Sequence, residues 1–172
     1  MESAIVRLAS HLNRTGHSHA LIGGVGMAAL GAVRATVDVD LLVDEGAAEE
    51  VRSLMQTLGC ETLQATSDVA NYLLDNTLRL DFLFARRKYT RAMLERALPL
   101  RVRNVDTHMV RGEDLIGLKL QAMHNDPSRI QDEQDIRLLM RLLRVTLDER
   151  LLGEYFDLFD RREWLDELLS DT

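Results

Sequence analysis

The feature that most constrains the fold is the alternation of aliphatic and acidic residues at positions 37–41, Val-Asp-Val-Asp-Leu. A period of two is typical of a β-strand, which places Asp38 and Asp40 on one face and the aliphatic side chains on the other. Carboxylates two residues apart on a strand lie roughly 6–7 Å from each other. Residues 41–43 continue as an aliphatic run. The segment therefore predicts a sheet with core on its far side and two neighbouring carboxylates on the near side.

Size and composition predict one domain, or a small domain with a helical appendage. The 172 residues are 46% apolar, which supplies a hydrophobic core and argues against a disordered chain. No apolar run approaches the ~18–20 residues that span a bilayer, and the N-terminal segment lacks the form of a signal peptide. The single cysteine, Cys60, excludes an internal disulfide. We expect a cytoplasmic protein with no membrane partner.

The histidines do not show the spacing of a zinc site. His17 and His19 flank Ser18 just before a predicted strand, while the other three histidines are scattered along the chain. Because structural zinc sites need four ligands, this pair is a poor zinc candidate.

Charge is unevenly distributed along an acidic chain. The net charge is −7, yet residues 79–119 contain ten Arg or Lys against five acids. Residues 145–172 contain nine acids and three arginines. A basic middle segment favours local binding of a phosphate-bearing ligand or a nucleic-acid end. The alternative is that these side chains, including the cluster at 86–91, only form solvated helix faces.

Periodicity predicts a mixed α/β half followed by a helical half. Helices are predicted at 2–15, 25–33, 46–58 and 87–97, and strands at 19–22, 38–43, 69–74, 78–85 and 98–105. From residue 112 onward the pattern is helical throughout. We therefore predict an α/β core over residues 1–108 and a C-terminal helical region, packed on the core, over residues 109–172.

A third acidic residue lies within an apolar strand. Asp81 is bracketed by Leu80 and Phe82, a position that acids rarely occupy unless they are paired or bind a metal. If its strand lies beside that of Asp38 and Asp40, three carboxylates converge on one face. Such a group suits Mg²⁺ or Mn²⁺. The structural alternative is that Asp38 and Asp40 merely edge a solvent-facing strand.

Two glycines precede the acidic strand. Gly23 and Gly24 lie between a predicted strand and a predicted helix, where glycine lets the backbone approach a ligand closely. A helix N-terminus at this point favours phosphate. Tight turns also use Gly-Gly routinely, so the pair is informative only in combination with the carboxylates.

That combination resembles the signature of the polymerase-β-like nucleotidyltransferase superfamily. The superfamily has a Gly-Gly or Gly-Ser turn, an Asp-x-Asp/Glu strand and a third acid on a neighbouring strand; the matching positions are Gly23, Gly24, Asp38, Asp40 and Asp81. The resemblance implies an α/β (α+β) fold in which a small mixed β-sheet is flanked by helices.

Residues 21–43 resemble more narrowly the stand-alone bacterial nucleotidyltransferase-like proteins related to the AbiEii toxins. In those proteins a Gly-x-x-Arg-x-Thr segment leads into the Asp-x-Asp strand, which matches Gly31, Arg34 and Thr36. The histidine often found before the first of these positions is Leu30 here.

The resemblance implies roles for particular residues. Asp38, Asp40 and Asp81 would bind Mg²⁺ or Mn²⁺, and Asp81 would also act on the attacking hydroxyl. The resemblance further implies nucleotide binding by Gly23, Gly24, Arg34, Thr36 and Lys119, with Lys119 also counted among the catalytic residues.

Lys119 is unusual on residue pattern alone, because it projects from the apolar stripe of its predicted helix. Asp132 and Asp135 line up with the apolar face of the next helix in the same way. The three residues are predicted either to form a buried ion pair or, as the resemblance favours, to let Lys119 contact the nucleotide phosphates while the aspartates orient it. The two interpretations are compatible.

Three functions follow as hypotheses. The first is transfer of a nucleoside monophosphate from a nucleoside triphosphate to an RNA end, such as that of tRNA, or to a protein hydroxyl, as a toxin with an antitoxin partner. The second is the same reaction on an aminoglycoside- or lincosamide-type antibiotic. The third is a catalytically silent nucleotide-binding or interaction protein, against which the intact Asp38, Asp40 and Asp81 argue.

Overall fold

The structure is a computed structural model that describes residues 1–32 and 36–170. The described chain divides into two compact units, one formed by residues 1–29 and 36–111 and the other by residues 30–32 and 112–170. The first unit contains α1 (Glu2–Thr15), β1 (His19–Leu21), α2 (Gly23–Ala29), β2 (Asp38–Asp44), a 3₁₀ helix (Glu45–Ala47), α3 (Ala48–Thr57), β3 (Glu61–Ala65), β4 (Val69–Leu74), β5 (Leu78–Ala85), α4 (Lys88–Glu95), β6 (Leu98–Val102) and β7 (Val105–Met109). The second contains α5 (Gly112–Asn125), α6 (Ile130–Leu143), α7 (Glu149–Leu158) and α8 (Arg162–Ser170).

The first unit is built on one seven-stranded mixed sheet in the order β3-β4-β5-β2-β1-β7-β6. The central strand β2 runs parallel to β5 and antiparallel to β1. β1 is parallel to β7, and the remaining pairs are antiparallel hairpins. The predicted α/β fold class, with a mixed sheet, flanking helices and a following helical region, is confirmed.

The core of the first unit forms on the face of β2 opposite the acidic residues. Val39, Leu41 and Val43 alternate with Asp38 and Asp40 and are almost completely buried, as the period of two predicts. Helices α1 and α3 contribute apolar stripes to the same cluster, including Ile5, Leu8, Leu12, Val51 and Met55. The acidic face of β2 is therefore backed by a well-packed layer.

Most predicted elements are confirmed. Differences occur where a strand forms by hydrogen bonding to a neighbouring strand although its own residues show no periodic pattern. β3 was not predicted, because its five residues are all exposed and show no apolar alternation; it forms by pairing with β4. The predicted single strand at 98–105 is instead the hairpin of β6 and β7, which reverses at Arg103 with a φ of 55°. Helix α2 begins at Gly23 rather than at residue 25.

Over residues 112–170 the regular elements of the second unit are all helices, as predicted. Helix α5 packs against α6 and α7, and α8 packs against α6 and α7. Tyr155 donates a buried 2.7 Å hydrogen bond to Asp114, and its ring lies against Gly117, where a Cβ would come within 2.9 Å of ring atoms. The described helices include none with the length and apolar character needed to cross a membrane.

The compact units separate between Arg111 and Gly112, three residues after the predicted boundary at 108/109. That the helical region is a domain in its own right stays a prediction.

Candidate active site

Strand register brings the three predicted carboxylates onto one face of the sheet. In the parallel pair of β2 and β5, Asp40 lies directly opposite Asp81, and Asp38 lies opposite Arg79. Directly opposed residues share a face, as do residues two apart on one strand. Asp38, Asp40 and Asp81 are each partly exposed. This face of β2 and β5 therefore presents three partly exposed carboxylates together with the Arg79 guanidinium.

Asp81 is held by two polar neighbours on its own hairpin. The Arg79 Nε donates a 2.8 Å hydrogen bond to Asp81 Oδ1, and the Nδ2 of Asn71 on β4 donates to the same oxygen at 2.6 Å. The hydrogen bond to Asp81, together with the charges of Asp38 and Asp40, raises the pKa of Arg79. Arg79 therefore interacts electrostatically with all three carboxylates.

Gly23 lies directly against Asp40. Its φ is +58°, and a Cβ built on it would fall 2.1 Å from Asp40 Oδ2. The peptide N–H of Ile22 also donates to the carbonyl of Asp40 at 3.0 Å. No other residue type can occupy this position without moving the carboxylate, so Gly23 is required by a close approach as well as by its backbone conformation.

Gly24 lies against Thr36 in the same way. A Cβ on Gly24 would come within 2.8 Å of the Thr36 side chain, and Thr36 Oγ1 accepts a long, 3.4 Å hydrogen bond from the Asp38 peptide N–H. The two glycines thus pack along the strand that carries the carboxylates.

Lys119, Asp132 and Asp135 form a buried ion cluster in the second unit. The Lys119 ammonium donates to Asp132 Oδ1 at 2.9 Å and to Asp135 Oδ2 at 2.6 Å, and the three side chains are at most 8% exposed. Burial raises the pKa of Asp132, but hydrogen bonds from Arg129 and Lys119 outweigh it, so the pKa lies below its ordinary value. The structure thus contains the predicted ion pair, and two donors of Lys119 are engaged in it.

The predicted site residues are distributed over both units. Gly23, Gly24, Thr36 and the three carboxylates belong to the first unit. Lys119 and its two aspartates belong to the second. Arg34 lies outside the described residues, so its predicted nucleotide contact stays a prediction.

Two residues of the carboxylate face, Arg79 and Asn71, were not predicted. Arg79 shares a face with Asp81 because it is two residues away on β5. The position of Asn71 follows from the register of the β4–β5 hairpin. Because Leu74 pairs with Leu78, Asn71 pairs with Asp81. The predicted strands at 69–74 and 78–85 leave only residues 75–77 between them, a spacing that is typical of a hairpin and would have indicated this pairing.

The carboxylate face has the donor chemistry of a hard divalent cation, because it offers several carboxylate oxygens. Gly23 itself places no side chain against the Asp40 carboxylate. Among the described residues, however, no group of three His, Cys, Asp or Glu side chains is arranged to hold a metal ion. In this structure Arg79 and Asn71 both donate hydrogen bonds to Oδ1 of Asp81.

The basic excess of residues 79–119 is partly offset by acids in the structure. Arg86 and Arg87 lie 3.7–3.8 Å from the Asp68 carboxylate, and Arg91 lies 3.8 Å from Glu45. Arg103 forms a two-pronged hydrogen bond with Glu2. These pairs favour the interpretation of the 86–91 cluster as a solvated surface rather than a nucleic-acid patch.

Comparison with known protein families assigns the class. Residues 1–170 match the family described as "Nucleotidyl transferase of unknown function (DUF2204)". The chain belongs to this family. A sequence comparison with curated proteins found no significant match. The predicted superfamily is thereby confirmed at the level of a nucleotidyl transferase family.

Solved structures with the same fold include antibiotic-modifying enzymes. The antibiotic-resistance factor ANT(2'')-Ia aligns with a TM-score of 0.69 at 13% identity, covering 97% of each chain. An antigenic nucleotidyltransferase-like protein from Paracoccidioides brasiliensis aligns with a TM-score of 0.62 at 16% identity, covering 98% of this chain and 91% of its own. The lincosamide antibiotic adenylyltransferase LnuA, bound to lincomycin, aligns with a TM-score of 0.59 at 13% identity, covering 83% and 98%. At these identities the similarity establishes the fold.

Proposed function

We propose that this protein transfers a nucleoside monophosphate from a nucleoside triphosphate to the hydroxyl group of an acceptor. The observation that carries the proposal is the in-register pair of Asp40 and Asp81, with Asp38 on the same face and Gly23 against Asp40. Membership of a nucleotidyl transferase family supports it. A silent binding protein of this fold would not need three carboxylates on one face, where they repel one another.

In the proposed reaction, the acceptor oxygen forms a bond to the α-phosphorus while the bond to the pyrophosphate oxygen breaks. Asp81 accepts the hydroxyl proton; Asn71 orients its carboxylate, and the contact with Arg79 is the one that gives way when a metal ion binds. Gly23 and Gly24 carry no side chains, so the backbone there can lie close to the departing phosphates. Thr36 and Arg34 are proposed as further nucleotide contacts.

Asp38 and Asp40, with Asp81, would hold a Mg²⁺ or Mn²⁺ ion, which when bound supplies Lewis-acid stabilisation of phosphate charge. All three carboxylates can bind the metal ion only if Arg79 releases the Asp81 carboxylate. Lys119 is proposed as a phosphate contact that Asp132 and Asp135 orient. This role requires Lys119 to share one of its hydrogen bonds to these aspartates with the phosphate, or to exchange it for a bond to the phosphate.

The acceptor is proposed to be an RNA end or a protein hydroxyl. The corresponding biological hypothesis is that the protein acts as a toxin and has an antitoxin partner. A cationic antibiotic is the second candidate acceptor. The observation that favours it is the acidic charge of the chain, −7 overall, because opposite charge attracts a cationic acceptor. The offset of the basic cluster by Asp68 and Glu45 points in the same direction.

The decisive experiment compares the wild-type protein with the isosteric variant Asp38→Asn/Asp40→Asn. Each protein is incubated with labelled nucleoside triphosphates, Mg²⁺ and one acceptor at a time, namely bulk tRNA, no added acceptor, an aminoglycoside or lincomycin. We expect wild-type protein to release pyrophosphate and to label one acceptor, and the variant to do neither at an unchanged melting temperature.

The location of the label distinguishes the acceptors, because it appears on RNA, on the protein itself or on the antibiotic. Equal nucleotide affinity and equal pyrophosphate release in the two proteins would show that the carboxylate face is not the site of transfer.

A further inference from the structure

Arg79 is an accessible cation on the carboxylate face. In the row of paired residues that crosses β5, its neighbours are Asp38 on β2 and the uncharged Leu73 on β4. Its side chain is 48% exposed. A ligand that binds beside the three carboxylates can therefore reach the Arg79 guanidinium.

The contact between Arg79 and Asp81 uses only one nitrogen of the guanidinium group. Nε of Arg79 lies 2.8 Å from both Oδ1 and Oδ2 of Asp81. Arg103, by contrast, uses two nitrogens, Nε and Nη2, for the two carboxylate oxygens of Glu2. No residue in the described part of the chain forms a hydrogen bond with Nη1 or Nη2 of Arg79. Both terminal nitrogens of Arg79 are therefore available to another partner.

The terminal nitrogens of Arg79 have the chemistry of a phosphate-binding group. A guanidinium can donate two parallel N–H bonds to two phosphate oxygens, and such charge-assisted bonds are stronger than neutral ones. A phosphate next to Asp38, Asp40 and Asp81 would be repelled by their charges unless a cation lay nearby. Arg79 supplies a positive charge at that position.

Asp81 can lose its contact with Arg79 and still remain oriented. The Asn71 Nδ2 donates to Asp81 Oδ1 at 2.6 Å, the same oxygen that accepts from Arg79. When the carboxylates bind a metal ion, its charge replaces that of the guanidinium, and a phosphate can replace Asp81 as the anionic partner of Arg79. The exchange leaves no charge without a partner, which is the condition that makes breaking an ion pair costly.

We propose that Arg79 binds the triphosphate of the nucleotide substrate, and that it exchanges the Asp81 carboxylate for phosphate oxygens when the metal ion binds. This inference rests on the proposed function, because it requires a nucleoside triphosphate on the carboxylate face. Arg79 balances the carboxylate charges before the substrate binds and contacts the substrate afterwards. Metal ion and nucleotide therefore bind cooperatively, since the nucleotide draws away the cation that competes with the metal.

The test is calorimetric titration with the α,β-methylene analogues of ATP, GTP, CTP and UTP, which cannot be cleaved at the bond that the reaction breaks. The analogue that wild-type protein binds most tightly is then titrated into Arg79→Met, at a Mg²⁺ concentration that saturates both proteins. We expect Arg79→Met to bind this analogue about tenfold more weakly at an unchanged melting temperature. Arg79→Lys keeps the charge but not the planar group, so its affinity should lie between the two.

If Arg79 only competes with the metal ion, Arg79→Met binds the analogue as tightly as the wild-type protein or more tightly. Either result would overturn the proposal. Arg101→Met is the matched control, because Arg101 is also an exposed strand arginine beside an aspartate, Asp106, but lies on β6 at the edge of the sheet. Arg101→Met should bind the analogue with wild-type affinity.

The same titrations separate this inference from the proposed function. If Asp38→Asn/Asp40→Asn loses the analogue but Arg79→Met binds it normally, the carboxylate face is still the nucleotide site and only the role of Arg79 is wrong. If wild-type protein binds none of the four analogues, the proposed function fails together with the role of Arg79.

Discussion

At the residue scale, the candidate site depends on a few positions at which a side chain is either absent or paired in a defined way. Gly23 has no side chain because Asp40 occupies the space that a Cβ would take. Arg79 is paired with Asp81 and also lies in the field of Asp38 and Asp40. Each of these features can be tested with a single substitution.

Gly23→Ala is expected to abolish nucleotide transfer and to lower the free energy of unfolding by more than the ~1–2 kcal/mol that a left-handed backbone alone costs a non-glycine residue. The added Cβ would displace the Asp40 carboxylate. The measurements are urea unfolding and pyrophosphate release.

Gly59→Ala is the matched control, because Gly59 has a similar φ of +69° but nothing within 4 Å of an added Cβ. Gly59→Ala should lose only the ~1–2 kcal/mol that a left-handed backbone costs a non-glycine residue. It should retain nucleotide transfer. Equal behaviour of the two variants would mean that contact with Asp40 is unimportant.

Arg79→Met is expected to strengthen Mn²⁺ binding by about tenfold, because it removes a cation that competes for the three carboxylates. Binding can be followed by electron paramagnetic resonance of free Mn²⁺. Arg52→Met is a suitable control, since exposed Arg52 pairs only with Glu49 among the contacts described for it. Weaker Mn²⁺ binding in Arg79→Met would instead show that Arg79 holds Asp81 in the geometry that the metal requires.

At the scale of elements, α5 and α6 are joined by a buried ion cluster rather than by apolar contact alone. Lys119 on α5 bonds to Asp132 and Asp135 on α6. Removing one member of such a cluster leaves buried charges without a partner, which is costly.

Lys119→Met is expected to lower the free energy of unfolding by about 3–5 kcal/mol. Lys88→Met is the matched control, since Lys88 is the other lysine of the chain and is exposed; its effect should stay within about 0.5 kcal/mol. If Lys119→Met folds with normal stability but loses nucleotide affinity, Lys119 serves the ligand and not the helix pair.

Acid should weaken the same cluster. The pKa of Asp132 is lowered in the folded protein from an ordinary value of 3.8. A carboxyl of this kind stabilises the fold above its unfolded pKa, and that stabilisation is lost as the pH falls through the lower folded pKa. We expect the free energy of unfolding to decline below about pH 4, and less steeply in Asp132→Asn.

Asp166→Asn, at an exposed position of α8, provides the comparison for that pH dependence. The free energy of unfolding of Asp166→Asn should decline with falling pH as steeply as that of the wild-type protein. If the free energy of unfolding of Asp132→Asn declined as steeply with falling pH as that of the wild-type protein, Asp132 would not be the source of this pH dependence.

The elements show what local pattern could predict. Amphipathic spacing predicted α1 over its full observed length, Glu2–Thr15, and Gly16 ends it with a left-handed cap because glycine has no Cβ penalty there. β3 could not be predicted, since its exposed residues carry no periodic signal and its strand geometry comes from hydrogen bonding to β4.

At the scale of the whole molecule, each compact unit has apolar residues of its own. In the second unit, Ile116, Leu120, Ile136, Leu139 and Phe156 are completely buried. We expect a fragment of residues 109–172 to be helical by circular dichroism and to unfold cooperatively, although without residues 30–32 of the same unit.

Phe156→Ala in that fragment should remove about 3–5 kcal/mol and abolish the cooperative transition. A wild-type fragment that behaves as a coil would contradict the predicted domain division.

The sequence by itself determined the alternation of Asp38 and Asp40 with buried aliphatic residues, the helical periodicity after residue 112 and the inward position of Lys119. These are local properties, because strand and helix periods act over a few residues. Only the tertiary structure decided that Asp81 lies opposite Asp40, that Arg79 and Asn71 bind it, and that Gly23 packs against Asp40. The register between β2 and β5 joins residues some forty positions apart, and it is set by the packing of the whole sheet rather than by either strand alone.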